Sequence, residues 1–158
     1  MKKLLLLPVF FVATVFLTGC PLETKVPIDA PEQLKVDITG KWQVQTDNNG
    51  GDIYNISKAD NTQFNVKVLK GLDSGATYKT YFNRIGNQVF ATVANMVDGD
   101  THYTIFRFRK ANDTIFVAAV SDKKVTREFN VPGDLKAFLK QNLQKDIYDE
   151  EDRMVKIK

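Results

Sequence analysis

The chain has 158 residues, of which 43% are hydrophobic and 26% charged, and its formal net charge is +3. This length suits one globular domain with its own core, and the charge is too small for the basic surface of a nucleic-acid-binding protein. A single cysteine excludes a disulfide within the chain, and a single histidine excludes a histidine-rich metal site.

The N-terminus has the pattern of a bacterial export signal. Lys2 and Lys3 supply positive charge, and an apolar run follows from residue 4 to residue 16. The run is shorter than the roughly 20 residues of a spanning helix, so we predict a cleaved signal peptide over residues 1–19. Removal of this segment lowers the formal net charge of the protein to +1.

The end of this segment, Leu17-Thr18-Gly19-Cys20, resembles a lipobox, the sequence that the lipoprotein signal peptidase cuts before its cysteine. The resemblance implies cleavage between Gly19 and Cys20 and acylation of Cys20, which anchors the protein in the membrane. Two or more acyl chains anchor a protein stably, because each buried CH₂ contributes about 0.8 kcal/mol. Pro21 occupies the position after the cysteine, where an aspartate would retain a lipoprotein in the inner membrane. Its presence favours anchoring in the outer membrane, with the protein facing the periplasm. An ordinary signal peptide followed by an unrelated cysteine is the alternative.

A proline-bearing segment follows the cysteine. Pro21, Pro27 and Pro31 remove backbone donors and favour extended chain. We therefore predict that residues 20–36 form a lipidated tether and that residues 37–158 form the folded domain.

From residue 40 onward, short stretches of strand-like sequence alternate with tight turns. Phe64, Val66 and Val68 alternate with polar residues, which predicts a strand with one buried face. Hairpin-length turns imply antiparallel neighbours, and a meander of eight strands can close into a barrel. The eight predicted strands begin at Lys41, Ile53, Thr62, Ala76, Gln88, Thr101, Thr114 and Val125.

The pattern changes to a helical period near the C-terminus. Leu135, Phe138, Leu139 and Leu143 share one helix face, and Asp134 stands where it can cap the helix. Residues 153–158 predict a ninth strand. The predicted fold class is therefore all-β, an eight- to nine-stranded antiparallel up-and-down barrel with one C-terminal helix.

At the start of the first strand, Gly40-Lys41-Trp42 matches the Gly-x-Trp signature of lipocalins and their calycin relatives. The resemblance implies a lipocalin-like barrel whose closed end is plugged by Trp42, with an arginine from a late strand stacked on the indole. The candidate is Arg127, and the alternatives are Arg107, Arg109 and Arg153. A tryptophan that is simply an ordinary core residue is the other interpretation. Together with the lipobox, "YFNRIGNQVFATV", "HYTIFRF" and "DLKAFLKQN", the chain resembles a group of small, uncharacterised, lipocalin-like bacterial lipoproteins.

No motif in the chain predicts catalysis. It has no nucleophile elbow, phosphate-binding loop or dinucleotide fingerprint. His102 lies near a predicted hairpin tip, and an acylated Cys20 cannot serve as its nucleophilic partner. We expect a protein that is not an enzyme and has no cofactor, no metal and no nucleic-acid partner.

Three functions remain open. A barrel with a cavity would bind a small apolar ligand or an envelope partner, whereas one filled by its own phenylalanines would be a structural or assembly lipoprotein. The stretch Ser74-Gly75-Ala76-Thr77-Tyr78 also resembles the Ser-Gly-x-x-Tyr loop of bacterial lipoprotein inhibitors of c-type lysozyme. That resemblance implies a lysozyme inhibitor whose contacts are made by Ser74, Gly75 and Tyr78.

Overall fold

The computed structural model describes residues 20–46, 51–97 and 99–158, so the predicted signal peptide, including Gly19, lies outside the described residues. The described chain forms nine strands and one helix. These are β1 (Glu23–Thr24), β2 (Gly40–Val44), β3 (Ile53–Lys58), β4 (Gln63–Lys70), β5 (Thr77–Ile85), β6 (Gln88–Val97), β7 (Asp100–Ala111), β8 (Thr114–Ala119), α1 (Pro132–Gln141) and β9 (Asp152–Ile157).

Eight of these strands close into an antiparallel barrel. Strands β2 to β8 pair in chain order, and β9 fills the gap between β8 and β2. Trp42 lies opposite Tyr54 on β3 and opposite Lys156 on β9. Closure gives each strand a partner on both sides and removes exposed sheet edges. The predicted fold class, an all-β antiparallel barrel with one C-terminal helix, is confirmed.

The eighth barrel strand is not the one that the sequence predicts. The predicted eighth strand, residues 125–131, has no regular structure, and β9 takes the eighth position instead. Val125 and Phe129 are 4% exposed and pack with Leu135 and Leu139 of α1. The alternation of polar and apolar residues here therefore reflects packing beneath the helix and not a strand.

The helix packs on the barrel as predicted, but its first turn differs from the prediction. The helix begins at Pro132, and Val131 at the N-cap makes no side-chain capping hydrogen bond. Asp134 lies inside the first turn, where its negative charge is favourable to the helix dipole. Proline at the first helical position needs no backbone partner for its nitrogen, which explains why the helix can begin there.

The segment predicted as a tether is packed into the wall. Strand β1 pairs with β7, and the backbone nitrogen of Leu22 donates a 2.7 Å hydrogen bond to the carbonyl oxygen of Val120. Leu22 is 7% exposed and Ile28 is 0% exposed. The prolines favour extended chain, but burial of the apolar side chains between them stabilises the packed segment relative to a free tether. Residues 20–36 are therefore part of the folded domain, and the tether prediction is wrong.

Buried side chains form two clusters. Inside the closed end of the barrel, the Phe82 ring lies 5.6 Å from the Phe64 ring and 4.9 Å from the Phe108 ring, centroid to centroid. The second cluster lies between the barrel wall, α1 and the N-terminal segment and includes Ile28 and Phe90. Within the described ranges, no helix is long and apolar enough to cross a membrane.

Candidate functional site

The barrel encloses a cavity of about 460 Å³ beside its phenylalanine cluster. All eight barrel strands contribute inward side chains, because alternate residues of a strand face the same side. The apolar part of the wall includes Val44, Ile56, Val66, Val93, Phe106 and Val117. Pockets that bind small molecules in proteins have volumes of about 300–1,000 Å³ and mostly apolar walls. The cavity has the size and the lining of such a pocket.

Trp42 seals the other end of the barrel. It is 0% exposed, and its indole nitrogen donates a 2.8 Å hydrogen bond to the carbonyl oxygen of Ile38. Gly40 has a φ of +118°, and a Cβ atom on it would lie 3.0 Å from Cε of Lys156. The glycine is therefore needed where the chain enters the barrel beneath Lys156.

The cation above the indole is Lys156, whose Nζ lies 5.7 Å from the ring centroid. The predicted pair of Trp42 and Arg127 is wrong, because Arg127 belongs to the irregular segment before α1. Its guanidinium lies 5.3 Å from the centroid of Phe129 and 3.6 Å from the carboxylate of Asp134. Of the alternatives, Arg107 stacks on Tyr148 and Arg109 stacks on Phe116. Arg153, on β9, lies opposite Phe116 of β8.

The open end of the cavity carries acidic side chains. Asp52 precedes β3, Asp73 lies in the turn after β4, and Asp152 begins β9. The Tyr54 phenol donates a 3.3 Å hydrogen bond to Asp52, and the Tyr78 phenol donates a 3.0 Å hydrogen bond to Asp73. Among the described residues that line the cavity, none is lysine, arginine or histidine.

The surroundings of these groups change their acidity. Burial, and then the negative charges of Asp52, Asp152 and Asp73, raise the pKa of Tyr54 to about 12. Tyr54 is therefore a neutral hydrogen-bond donor at physiological pH. Desolvation by the barrel wall, followed by repulsion from Glu150, raises the pKa of Asp152, although much of that residue is solvent-exposed.

Thr80 supplies a polar atom below the mouth. It follows Tyr78 on the same face of β5 and is 4% exposed. Its Oγ1 has no hydrogen-bond partner within the part of the chain that the structure describes. An unpaired buried hydroxyl costs about 1–3 kcal/mol, so a polar atom of a bound molecule would be favourable beside it.

The structure places the serine and the tyrosine of the predicted inhibitor motif in different surroundings. Ser74 is exposed in the turn between β4 and β5, and its hydroxyl donates a 3.2 Å hydrogen bond to the carbonyl oxygen of Leu69. Gly75 has a φ of +96°, which allows the turn. Tyr78 instead lines the cavity and contacts Asp73. The motif therefore does not present its serine and tyrosine together on one free loop tip.

The predicted lipidation site lies beside the mouth. Cys20 is exposed, and its carbonyl oxygen accepts a 3.1 Å hydrogen bond from the backbone nitrogen of Asp122. The next residue, Pro21, lines the cavity. His102 lies elsewhere on β7, with its Nδ1 3.6 Å from the Glu23 carboxylate.

A second cavity, of about 470 Å³, lies where Leu34 and Val36 approach β7. Its lining includes Arg107 and Arg109, whose guanidinium groups pair with Glu151 at 3.7 and 3.0 Å. Because these arginines are already paired and stacked on aromatic rings, this groove is a weaker candidate for a ligand site.

The sequence did not identify Asp52, Tyr54, Thr80 or Asp152 as site residues. Asp52, Tyr54 and Asp152 lie far in sequence from the Ser-Gly-x-x-Tyr motif, and Thr80 follows the motif by two residues on the same face of β5. The available signal is their position, because Asp52 and Asp152 each stand at the start of a strand that begins at the open end.

No family model matches the sequence, and comparison with curated proteins finds no match. A crystal structure of a DUF4909 family protein from Staphylococcus aureus subsp. aureus Mu50 is similar, with a TM-score of 0.46 and 9% identity. The similarity covers 79% of this chain and 100% of that chain. At this identity, no property of that protein can be transferred to the present chain.

Proposed function

We propose that this protein is a lipid-anchored, non-catalytic binding module of the bacterial envelope, whose barrel holds a small and largely apolar ligand. The observation that carries the proposal is the cavity of about 460 Å³ inside the barrel. Phe64, Phe82 and Phe108 fill only the closed end. A ligand that covers the exposed apolar wall gains about 25 cal/mol for each Å² removed from water.

The lipobox supports the anchored part of the proposal, and the position of Cys20 gives it a geometric consequence. Since residues 21–36 are packed on the barrel, an acylated Cys20 has no flexible spacer between the lipid and the domain. Pro21 lies in the cavity lining. In this proposal the mouth of the barrel therefore lies close to the membrane surface, and Pro21 after the cysteine favours the outer membrane.

The test uses residues 20–158 with Cys20→Ser, which include all eight barrel strands and both core clusters. Native mass spectrometry after gentle purification should detect a retained small molecule, and the neutral dye N-phenyl-1-naphthylamine should bind with saturable fluorescence. Val93→Phe fills the cavity and should abolish dye binding. Val131→Phe adds the same ring at a site that is 50% exposed and lines neither cavity, and it should leave binding intact. Equal binding by both variants, or no binding by the parent protein, would exclude a cavity ligand.

Lysozyme inhibition is a second candidate, favoured by the exposure of the turn that carries Ser74. Leu72 in the same turn is fully exposed, with a relative exposure of 103%. A protein partner would cover such a side chain favourably. If this function holds, the parent protein inhibits a c-type lysozyme, Ser74→Ala weakens inhibition, and Val93→Phe leaves it unchanged. No inhibition by the parent protein would remove this candidate.

A further inference from the structure

The charged residues in the described lining of the cavity all have the same sign. Asp52, Asp73 and Asp152 line it, and its described lining contains no basic side chain. In the part of the chain that the structure describes, none of the three carboxylates forms an ion pair with lysine, arginine or histidine. We propose that the ligand is a cationic amphiphile, whose apolar body enters the barrel and whose protonated amine is held by these carboxylates. This inference rests on the proposed binding function and specifies the chemistry of its ligand.

The charges of all three carboxylates act at the hydroxyl of Tyr54. The Tyr54 hydroxyl contacts Asp52 at 3.3 Å, and the charges of Asp152 and Asp73 also act on this phenol. The site lies where the apolar barrel meets solvent, so charges there interact more strongly than they would in bulk water. A single ammonium group beside Tyr54 would therefore be attracted by all three.

Strand β5 carries a matching change in polarity from the mouth towards the closed end. Tyr78 contacts Asp73 at the mouth, Thr80 has the unpaired hydroxyl, and Phe82 belongs to the apolar cluster. The buried Thr80 Oγ1 is an independent sign that a polar group belongs inside the cavity. The Thr80 side chain lines the cavity, so rotation about its χ1 angle can turn the hydroxyl towards an amine N–H of the ligand while the carboxylates hold the charge.

Two other ligand classes fit less well. A fatty acid would place its carboxylate among three carboxylates with no cation in the described lining, which is unfavourable at close range. A metal ion needs several ligands gathered around one point. Among residues 20–46, 51–97 and 99–158, no group of three or more histidine, cysteine, aspartate or glutamate side chains is placed to hold one.

The test compares three ligands with the same alkyl chain. Decylamine, decanol and decanoate are titrated at neutral pH against residues 20–158 with Cys20→Ser, and displacement of N-phenyl-1-naphthylamine is followed. We expect decylamine to bind roughly tenfold more tightly than decanol, and decanoate to bind most weakly. The double variant Asp52→Asn and Asp152→Asn should remove the preference for the amine and leave decanol affinity unchanged.

Asp113→Asn is the matched control, because Asp113 is exposed in the turn between β7 and β8 at the closed end. Unchanged decanol affinity also shows that the double variant is folded. If decanol binds as tightly as decylamine, or decanoate binds most tightly, the cationic class is wrong and the binding function stands. If Ca²⁺ binds saturably and the double variant abolishes this, the carboxylates form a metal site instead. If no ligand displaces the dye and the dye itself does not bind, the binding function also fails.

Discussion

The indole nitrogen of Trp42 donates a 2.8 Å hydrogen bond to the carbonyl oxygen of Ile38, four residues earlier in the chain. Trp42 is 0% exposed and Ile38 is 1% exposed, so the bond is sealed within the closed end of the barrel. The same side chain therefore fills the base of the barrel and satisfies a buried backbone group. This explains why the one tryptophan of the chain lies two residues after Gly40, where β2 begins.

Trp42→Phe should destabilise the protein by about 2–4 kcal/mol, because it leaves the Ile38 carbonyl oxygen unpaired and opens a cavity. Urea unfolding followed by far-ultraviolet circular dichroism measures the loss. Tyr78→Phe also removes one hydrogen bond, but that bond is solvent-exposed, so its cost should stay below about 1 kcal/mol. Equal unfolding midpoints for the parent protein and Trp42→Phe would contradict this account.

Lys156→Met should change the emission of Trp42, because the Lys156 ammonium lies 5.7 Å from the centre of the indole ring. The stability cost should be about 0.5–1 kcal/mol, as for other exposed cation–π contacts. Arg127→Met is the control and should leave the emission unchanged, since Arg127 lies over Phe129. The reverse result would restore Arg127 as the partner of the indole.

Ile28→Ala should cost about 2–5 kcal/mol, because Ile28 is 0% exposed and packs in the cluster beneath α1. Lys25→Ala, in the same segment but exposed, should change the free energy of unfolding by less than about 0.5 kcal/mol. Urea titration of both variants measures these changes in the free energy of unfolding. A negligible cost for Ile28→Ala would mean that the segment behaves as a free tether in solution.

Cys20→Ala should abolish lipidation. Cells that express the full chain are fed an alkyne-tagged fatty acid, and the purified protein is coupled to a fluorescent azide. The parent protein should be labelled and the variant should not, because Cys20 is the only thiol in the sequence. Ser74→Ala is a processing control that should be labelled normally. An unlabelled parent protein would exclude the lipoprotein assignment.

Asp152→Asn should change how stability depends on pH. The folded state raises the pKa of Asp152 above its usual 3.8, so the native protein binds this proton more readily than the unfolded chain. Asp152 therefore costs stability once pH rises through the folded pKa, and this cost disappears as pH falls below 3.8. At about pH 7 the variant should be more stable than the parent protein, and this difference in stability should be smaller near pH 4. An equal gain at both pH values would rule out a titration effect.

Sequence reasoning was most successful where the determining interactions are local. The period-two alternation of Phe64, Val66 and Val68 correctly predicts β4, and the helical spacing of Leu135 and Leu139 correctly predicts α1. It failed for residues 125–131, because Val125 and Phe129 are buried on one side of an irregular segment. An alternating pattern cannot distinguish a paired strand from an unpaired chain that packs beneath a helix.

By itself, the sequence determined the class of the fold, seven of its eight barrel strands in order, β9 as an additional strand, and the position of Trp42 at the opening of β2. These features depend on side-chain periodicity and turn residues within short stretches. Only the tertiary structure decided that β9 closes the barrel, that Lys156 and not Arg127 covers the indole, and that the N-terminal segment is packed. It also brought Asp52 and Asp152 to one mouth. Residues far apart in sequence meet through strand register and barrel closure, and no local pattern encodes that meeting.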